Sequence, residues 1–174
     1  LIERSSHGEG ELINACNGLP ESYIQALALD SEGTLTLALR GRGLWTFDPS
    51  TRSARPLSLD PRLRWPSALA WHEGALWVGT VQDGLWRLEP SGGSPTLSQP
   101  VWRFRSKRVS ALSVDSEGRL LIGRDLGGLW RLESDGRTKR LLRGSVQGLE
   151  WIQGALVVDQ GATRCQLAAR RRCL

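Results

Sequence analysis

One eighteen-residue phrase recurs through this chain with small changes: EGTLTLALRGRGLWTFDP from Glu32, EGALWVGTVQDGLWRLEP from Glu73 and EGRLLIGRDLGGLWRLES from Glu117. Aligned on the glycine of each EG or QG pair, Gly33, Gly74, Gly118 and Gly154 lie 41, 44 and 36 residues apart, periods that signal a repeat architecture. Ten residues beyond each of the first three anchors a glycine opens GLW, at Gly43, Gly84 and Gly128. A constant internal offset within a variable period means that the hairpin is fixed and only its connections vary.

Within a unit the hydrophobic period is that of a strand. SALSVDSEGRLLIG alternates, breaks at Asp-Ser-Glu-Gly and resumes with β-forming residues, the pattern of two strands joined by a tight turn. Glycine at the turn accepts a positive φ that a Cβ would oppose. RGRG, VQDG and DLGG mark a second set of turns before the GLW strand, and more polar segments such as SARPLSL and TKRLL supply a fourth. Each unit is thus four antiparallel strands, A to D, with no helix-period segment between them. Such sheets bury both faces only by stacking around an axis, so the fold class is all-β, a β-propeller of about four four-stranded blades. Trp45, Trp86 and Trp130, one per unit at one register, read as packing anchors beside the turn glycines Gly33, Gly74 and Gly118 rather than as a ligand cage.

The blades are expected near residues 17–60, 61–105, 106–143 and 144–160, with 1–15 completing the short fourth unit and 161–174 forming a basic tail. Closing a ring with a strand from the opposite terminus removes exposed sheet edges. The alternative is half of a larger ring, completed by a second copy or another subunit. Closure would also bring Cys16 near Cys165 and Cys173, whose spacing fits neither a zinc site nor a redox motif. No metal site or cofactor is expected. No apolar run is long enough for a membrane span and the first residues lack the plan of a signal peptide, which leaves periplasm and cytoplasm both open.

NGLPESYIQALALDSEGTLTLALRGRGLWTFDP and ALWVGTVQDGLWRLEP resemble the two-component-regulator propeller repeat, an apolar strand followed by D-x-x-G-x-L-W-[IV]-G-T and a G-[LV]-[WY] strand. The second unit carries the match best, through Leu76-Trp77-Val78-Gly79-Thr80 and Gly84-Leu85-Trp86; the first has Thr36 and the third Leu121 in place of the central Trp. The resemblance implies a sensor or interaction domain of bacterial regulators.

Catalytic signatures are sparse. His7 and His72 are the only histidines, His72 reads as an exposed turn residue, and no nucleophile elbow, zinc-protease motif or phosphate-binding loop is present. The net charge of +5 falls to +1 without the four arginines of the last fourteen residues. In a meander the A–B and C–D turns share one end and the B–C and D–A loops the other. The first end collects Asp30, Glu32, Asp48, Glu73, Glu89, Asp115, Glu117, Glu133 and Asp135, which fit ordinary turn chemistry. The second collects Arg40, Arg42, Arg62, Arg64, Lys107, Arg108, Arg124 and Arg143, with Trp65 among them. The reading is a non-catalytic protein-interaction or ligand-sensing module that docks an acidic protein partner on this basic loop end. Its competitors are a polyanion binder, disfavoured for nucleic acid by the near-neutral body, and a propeller lyase or hydrolase, disfavoured by dispersed His and a single tyrosine, Tyr23.

Overall fold

The structure, a computed structural model, describes residues 2–4, 10–12, 19, 23–89, 95–98, 108–152, 155–167 and 171–173. Short strands β1 (Ile2–Arg4) and β2 (Gly10–Leu12) pair with each other. Blade 1 follows as β3 (Ile24–Leu29), β4 (Leu35–Leu39), β5 (Gly43–Asp48) and β6 (Ser53–Ser58). Blade 2 is β7 (Pro66–His72), β8 (Ala75–Thr80), β9 (Leu85–Glu89) and β10 (Thr96–Ser98). Blade 3 is β11 (Val109–Val114), β12 (Leu120–Arg124), β13 (Gly128–Leu132) and β14 (Thr138–Leu142), and blade 4 is β15 (Gly148–Ile152), β16 (Ala155–Asp159), β17 (Arg164–Leu167) and β18 (Arg171–Cys173). Each blade is an antiparallel meander in chain order, and together they form a four-bladed β-propeller.

Two expectations about the ends are corrected. Among the described residues, β1 and β2 pair with each other and join none of the four-stranded sheets, and the four strands of blade 4 come from residues 148–173. Of the described residues in the segment expected as a basic tail, Arg164 lies in β17, which pairs with β16, and Arg171 and Arg172 lie in β18, where Cys173 stands opposite Cys165 of β17. The GLW signal is missing from this unit, but a backbone ladder needs no particular side chain. Cys165 is disulfide-bonded. Cys16 and the side chain of Cys173, the candidate partners, lie outside the described residues.

Blade follows blade through one contact used twice. Gly79 in β8 has no Cβ because Val109 of the next blade occupies that space; a Cβ there would stand 2.6 Å from Val109 Cγ1 and 3.0 Å from its Cβ. Gly123 in β12 receives Val146 in the same way, at 2.6 Å. Beside each contact a serine hydroxyl donates to the main chain of the next blade, Ser67 to Val109 O at 2.5 Å and Ser110 to Val146 O. Around these points lie the inter-blade cores. Ala38 and Leu44 of blade 1 meet Leu69, Leu76, Val78, Trp86 and Leu88 of blade 2, and Ala70, Trp77 and Leu85 meet Val109, Leu120 and Ile122 of blade 3. Leu121 and Leu129 meet Val146, Leu156 and Val158 at the last junction.

The repeated tryptophans are held alike. The indole N–H of Trp45 donates to Arg42 O at 3.2 Å, that of Trp86 to Asp83 O at 3.0 Å and that of Trp130 to Gly127 O at 2.8 Å, each the carbonyl three residues earlier. The polar edge of the ring closes the B–C loop while the rest packs, so none of the three presents a ligand cage. The turn glycines Gly33, Gly74 and Gly118 have φ of +85°, +71° and +76°.

The first and last blades differ from the inner pair. On β15 Leu149 packs into the last inter-blade core and Trp151 donates to Ser113 Oγ of blade 3 at 3.0 Å. Strand alternation therefore turns Glu150 and Ile152 away, and both are exposed. Glu150 stands opposite Val157, where the equivalent register in blade 1 pairs Ala28 with Thr36. On β3, Leu27 and Leu29 are 45% and 62% exposed.

Two stability outcomes follow from this packing. Trp86→Ala should lose about 3–5 kcal/mol in chemical denaturation, while Trp86→Phe retains most of the burial and loses far less. Gly79→Ala should destabilise by about 1–3 kcal/mol through overpacking, and adding Val109→Ala should recover part of that loss; a double-mutant cycle with no coupling would contradict the contact.

Candidate functional site

The structure brings the loops of each end together as the meander requires. At the B–C and D–A end, Gly41 N–H donates to Arg64 O at 2.9 Å and Val81 N–H to Trp65 O at 3.0 Å, so the Arg40–Arg42 loop, the segment around Trp65 and the Val81 loop form one main-chain-bonded platform. Trp65 lies 3.7 Å from where a Gly41 Cβ would be and remains 38% exposed. Arg64 extends its guanidinium 5.9 Å from the Trp65 ring centroid. The segment is set by a 3-10 turn at Pro61–Leu63, whose N-cap Asp60 accepts from Arg62 N–H. Leu63, fully buried, anchors it.

The eight residues expected on this end are not equivalent. Arg40, Arg42 and Arg64 are exposed. Arg62 lies 4.8 Å over the Trp86 ring and is bound to Asp60 by bonds of 2.8 and 2.6 Å, which hold the Asp60 carboxyl below and the Arg62 guanidinium above their ordinary pKa values. Arg108 reaches Asp125 at 3.7 Å. Arg124 is drawn against Gly127, and burial lowers its pKa from the ordinary arginine value. Lys107 lies outside the described residues. Arg40, Arg42, Arg64 and Trp65 are thus the exposed part of the set that the loops gather on this platform.

The opposite end carries the clefts. One of about 440 Å³ separates the A–B turns of blades 1 and 2, lined by Asp30, Ser31, Glu32, Trp71, His72, Glu73 and Gly74. A second, of about 400 Å³, separates blades 2 and 3 and has His72, Glu73, Trp77, Glu117 and Arg119 among its walls. His72 belongs to both and is buried, which corrects the expectation of an exposed turn residue. The reason is the residue before it. In blades 1 and 3 an aspartate opens the turn: Asp30 Oδ1 accepts from the N–H groups of Glu32 and Thr34 at 2.9 and 2.8 Å, and Asp115 Oδ1 from those of Glu117 and Arg119 at 3.0 and 2.8 Å. Blade 2 has Trp71 there and cannot make that turn. Its strands instead continue to the His72–Ala75 pair and close through Glu73 and Gly74, with φ of +49° and +71°, a two-residue hairpin of the kind that needs positive φ at both positions. The tighter turn carries His72 into the strand and the inter-blade seam.

Sequence reasoning missed this seam, together with Gly79, Gly123, Val109, Val146, Ser67 and Ser110. The signal available was a small residue at one B-strand register, Ala38, Gly79 and Gly123. Among the described residues no group of three or more His, Cys, Asp or Glu is placed to hold a metal ion, and no helix is long and apolar enough to cross a membrane.

No protein-family model matches the chain, and no curated protein does. Solved structures do. The extracellular domain of BT4673 from B. thetaiotaomicron, described as part of a one-component or hybrid two-component system, is 16% identical over 89% of this chain with a TM-score of 0.66; the chain spans 23% of that domain's length. A catalytically inactive form of virginiamycin B lyase from Staphylococcus aureus, solved with quinupristin, is 12% identical over 99% of this chain and 61% of that one, with a TM-score of 0.72. The computationally designed Ika4 protein is 14% identical over 90% of this chain and 92% of its own, with a TM-score of 0.62. At these identities the likeness establishes the β-propeller fold.

The carboxylates of the turns have a measurable role. Burial alone would raise the Asp115 pKa, but the N–H and guanidinium of Arg119, at 2.8 Å each, and the N–H of Glu117 outweigh it and hold the group below its ordinary value. A carboxyl lowered in the folded state stabilises above its unfolded pKa, and that contribution disappears as pH falls through the folded value. Asp115→Asn should therefore be less stable than the parent at pH 7, with the difference shrinking as denaturation is repeated down to about pH 3.

Proposed function

We propose that this chain is a non-catalytic recognition propeller that senses or scaffolds by docking an acidic protein partner on its B–C and D–A loop end. The observation that carries the reading is the bonded platform itself: Gly41 N–H to Arg64 O and Val81 N–H to Trp65 O hold exposed arginine beside a half-exposed tryptophan without ordering a loop on binding. Preorganised Trp and Arg are the residue types that anchor protein interfaces, and complementary charge speeds encounter. The likeness to an extracellular domain of a two-component system agrees with a sensing role. The disulfide at Cys165 favours an oxidising compartment outside the cytoplasm.

A catalytic reading, prompted by the likeness to a lyase, would fall on His72, the one histidine among the described residues. Its ring makes no hydrogen bond to a nucleophile or orienting group there, which favours the non-catalytic reading.

The test compares the parent with Arg40→Glu/Arg42→Glu/Arg64→Glu and with Trp65→Ala as baits in nuclease-treated lysate of the source organism at moderate salt, read by quantitative mass spectrometry. A protein partner of acidic character should be lost at least tenfold from the triple variant and weakened by Trp65→Ala. Undiminished capture by both variants would overturn the docking surface. Loss of all capture on nuclease treatment, with affinity falling steeply in salt, would select the polyanion reading instead.

A further inference from the structure

The B–C loops of blades 1 and 3 share one length and one turn. Three residues join Leu39 to Gly43 and Arg124 to Gly128, and in each loop the third donates its N–H back across the turn, Arg42 to Leu39 O at 3.0 Å and Gly127 to Arg124 O at 3.3 Å. The middle residue stands in the left-handed region in both. In blade 1 it is Gly41, with φ of +74°, and in blade 3 it is Leu126, with φ of +56°. A bulky side chain strains that conformation through its Cβ, and glycine is the residue that avoids the cost. Leu126 does not recover the cost by burial, since it is 91% exposed. Strain of this kind clusters where a molecule makes its contacts.

The two loops reach the same surface chemistry by different routes. At blade 1 the tip is bare, and the connection that follows lays Trp65 on it, 3.7 Å from where a Gly41 Cβ would stand. At blade 3 the connection that follows brings Ser145, whose hydroxyl donates to Asp125 Oδ1 at 2.6 Å, and the apolar group comes from the tip itself. Each junction thus presents one large apolar side chain. Val81, 38% exposed and bonded through its N–H to Trp65 O, belongs to the B–C loop of the blade between them. Exposed Arg40, Arg42 and Arg64 accompany the Trp65 side. Two aspartates of this end are already engaged, Asp60 with Arg62, and Asp125 with Arg108 and Ser145. Exposed apolar groups rimmed by cations on firm loops mark a contact surface. Packed sheets lie about 10 Å apart, so a segment reaching from the blade 1 tip to the blade 3 tip spans about 20 Å, roughly six extended residues.

We propose, resting on the docking reading above, that the acidic partner is held through a short extended segment carrying two large apolar side chains, one packed on Trp65 and one on Leu126, with its carboxylates set against Arg40, Arg42 and Arg64. Leu126 is then a specificity-determining residue of this end. It serves contact and not stability, a signature opposite to that of a core leucine.

The probe is a phage-displayed library of random dodecapeptides selected on the parent chain; the most enriched peptide is then synthesised with a fluorescent label and its affinity read by anisotropy. Enriched peptides should carry Asp or Glu together with two separated aromatic or large aliphatic residues. Leu126→Gly should weaken the labelled peptide by about fivefold or more, and Leu126→Met, which keeps an apolar side chain, should bind close to the parent. The melting temperature of Leu126→Gly should change little, because relief of the left-handed strain offsets the added freedom of glycine in the unfolded chain. Binding lost in Trp65→Ala and in Arg40→Glu/Arg42→Glu/Arg64→Glu but kept in Leu126→Gly would overturn the inference and leave the docking surface standing. Binding kept in all of these variants would overturn both. A selection that enriches no peptide of this composition would overturn the extended segment, the docking surface being judged separately by the capture of an acidic protein.

Discussion

Everything in this propeller depends on how closely one blade can approach the next. The decisive contact is a hole: at Gly79 and Gly123 the B strand lacks a side chain, and a valine from the following blade, Val109 or Val146, fills the space. Ser67 and Ser110 fix the register of the approach by donating to the main chain of those same valines. With the inner strands held at that distance, residues of the facing sheets interdigitate, Trp77 and Leu85 with Leu120 and Ile122 at one junction and Leu121 and Leu129 with Leu156 and Val158 at the next. A close-packed seam gains dispersion and excludes water only at that spacing.

The two ends of the molecule take their characters from what this packing leaves over. Loops at the B–C and D–A end are knitted by main-chain bonds and display arginine and tryptophan on a firm surface. Turns at the other end splay apart between blades, leaving clefts whose walls are the carboxylates that closed the turns. The same acidic residues thus serve local turn structure and line the clefts where two blades face each other. Arg119 shows the local half of that economy, paired with both Asp115 and Glu117.

Much of the fold was legible because it is written repeatedly. Strand period, turn glycines and the GLW register recur with a constant offset, and errors in one unit are corrected by the next. Legibility failed where the writing is unique. Blade 4 lacks the GLW marker, yet β17 forms there because β16 offers a free ladder edge, and strand pairing is a property of backbone more than of sequence. His72 was misplaced because its neighbours, Glu73 and Gly74, look like those of the other turns; Trp71 in place of aspartate changes the turn type, and only the pairing of His72 with Ala75 reveals it. The basic end was assembled from topology alone, but which arginines carry a bound carboxylate depended on distances such as that of Arg62 to Asp60.

By itself the sequence determined the architecture: an all-β chain of four-stranded units, stacked because no such sheet can bury both its faces alone, with acids and bases sorted to opposite ends by the alternation of a meander. Tertiary structure decided the rest. That the last arginines belong to a blade, that His72 is buried in a seam, that Gly79 and Gly123 are sockets rather than turns, and that Trp65 sits on Gly41 are facts about neighbours distant in the chain. Periodicity reports which face of a strand is apolar, a local property, whereas a cleft or a platform exists only where separate segments are brought within a few ångströms of one another.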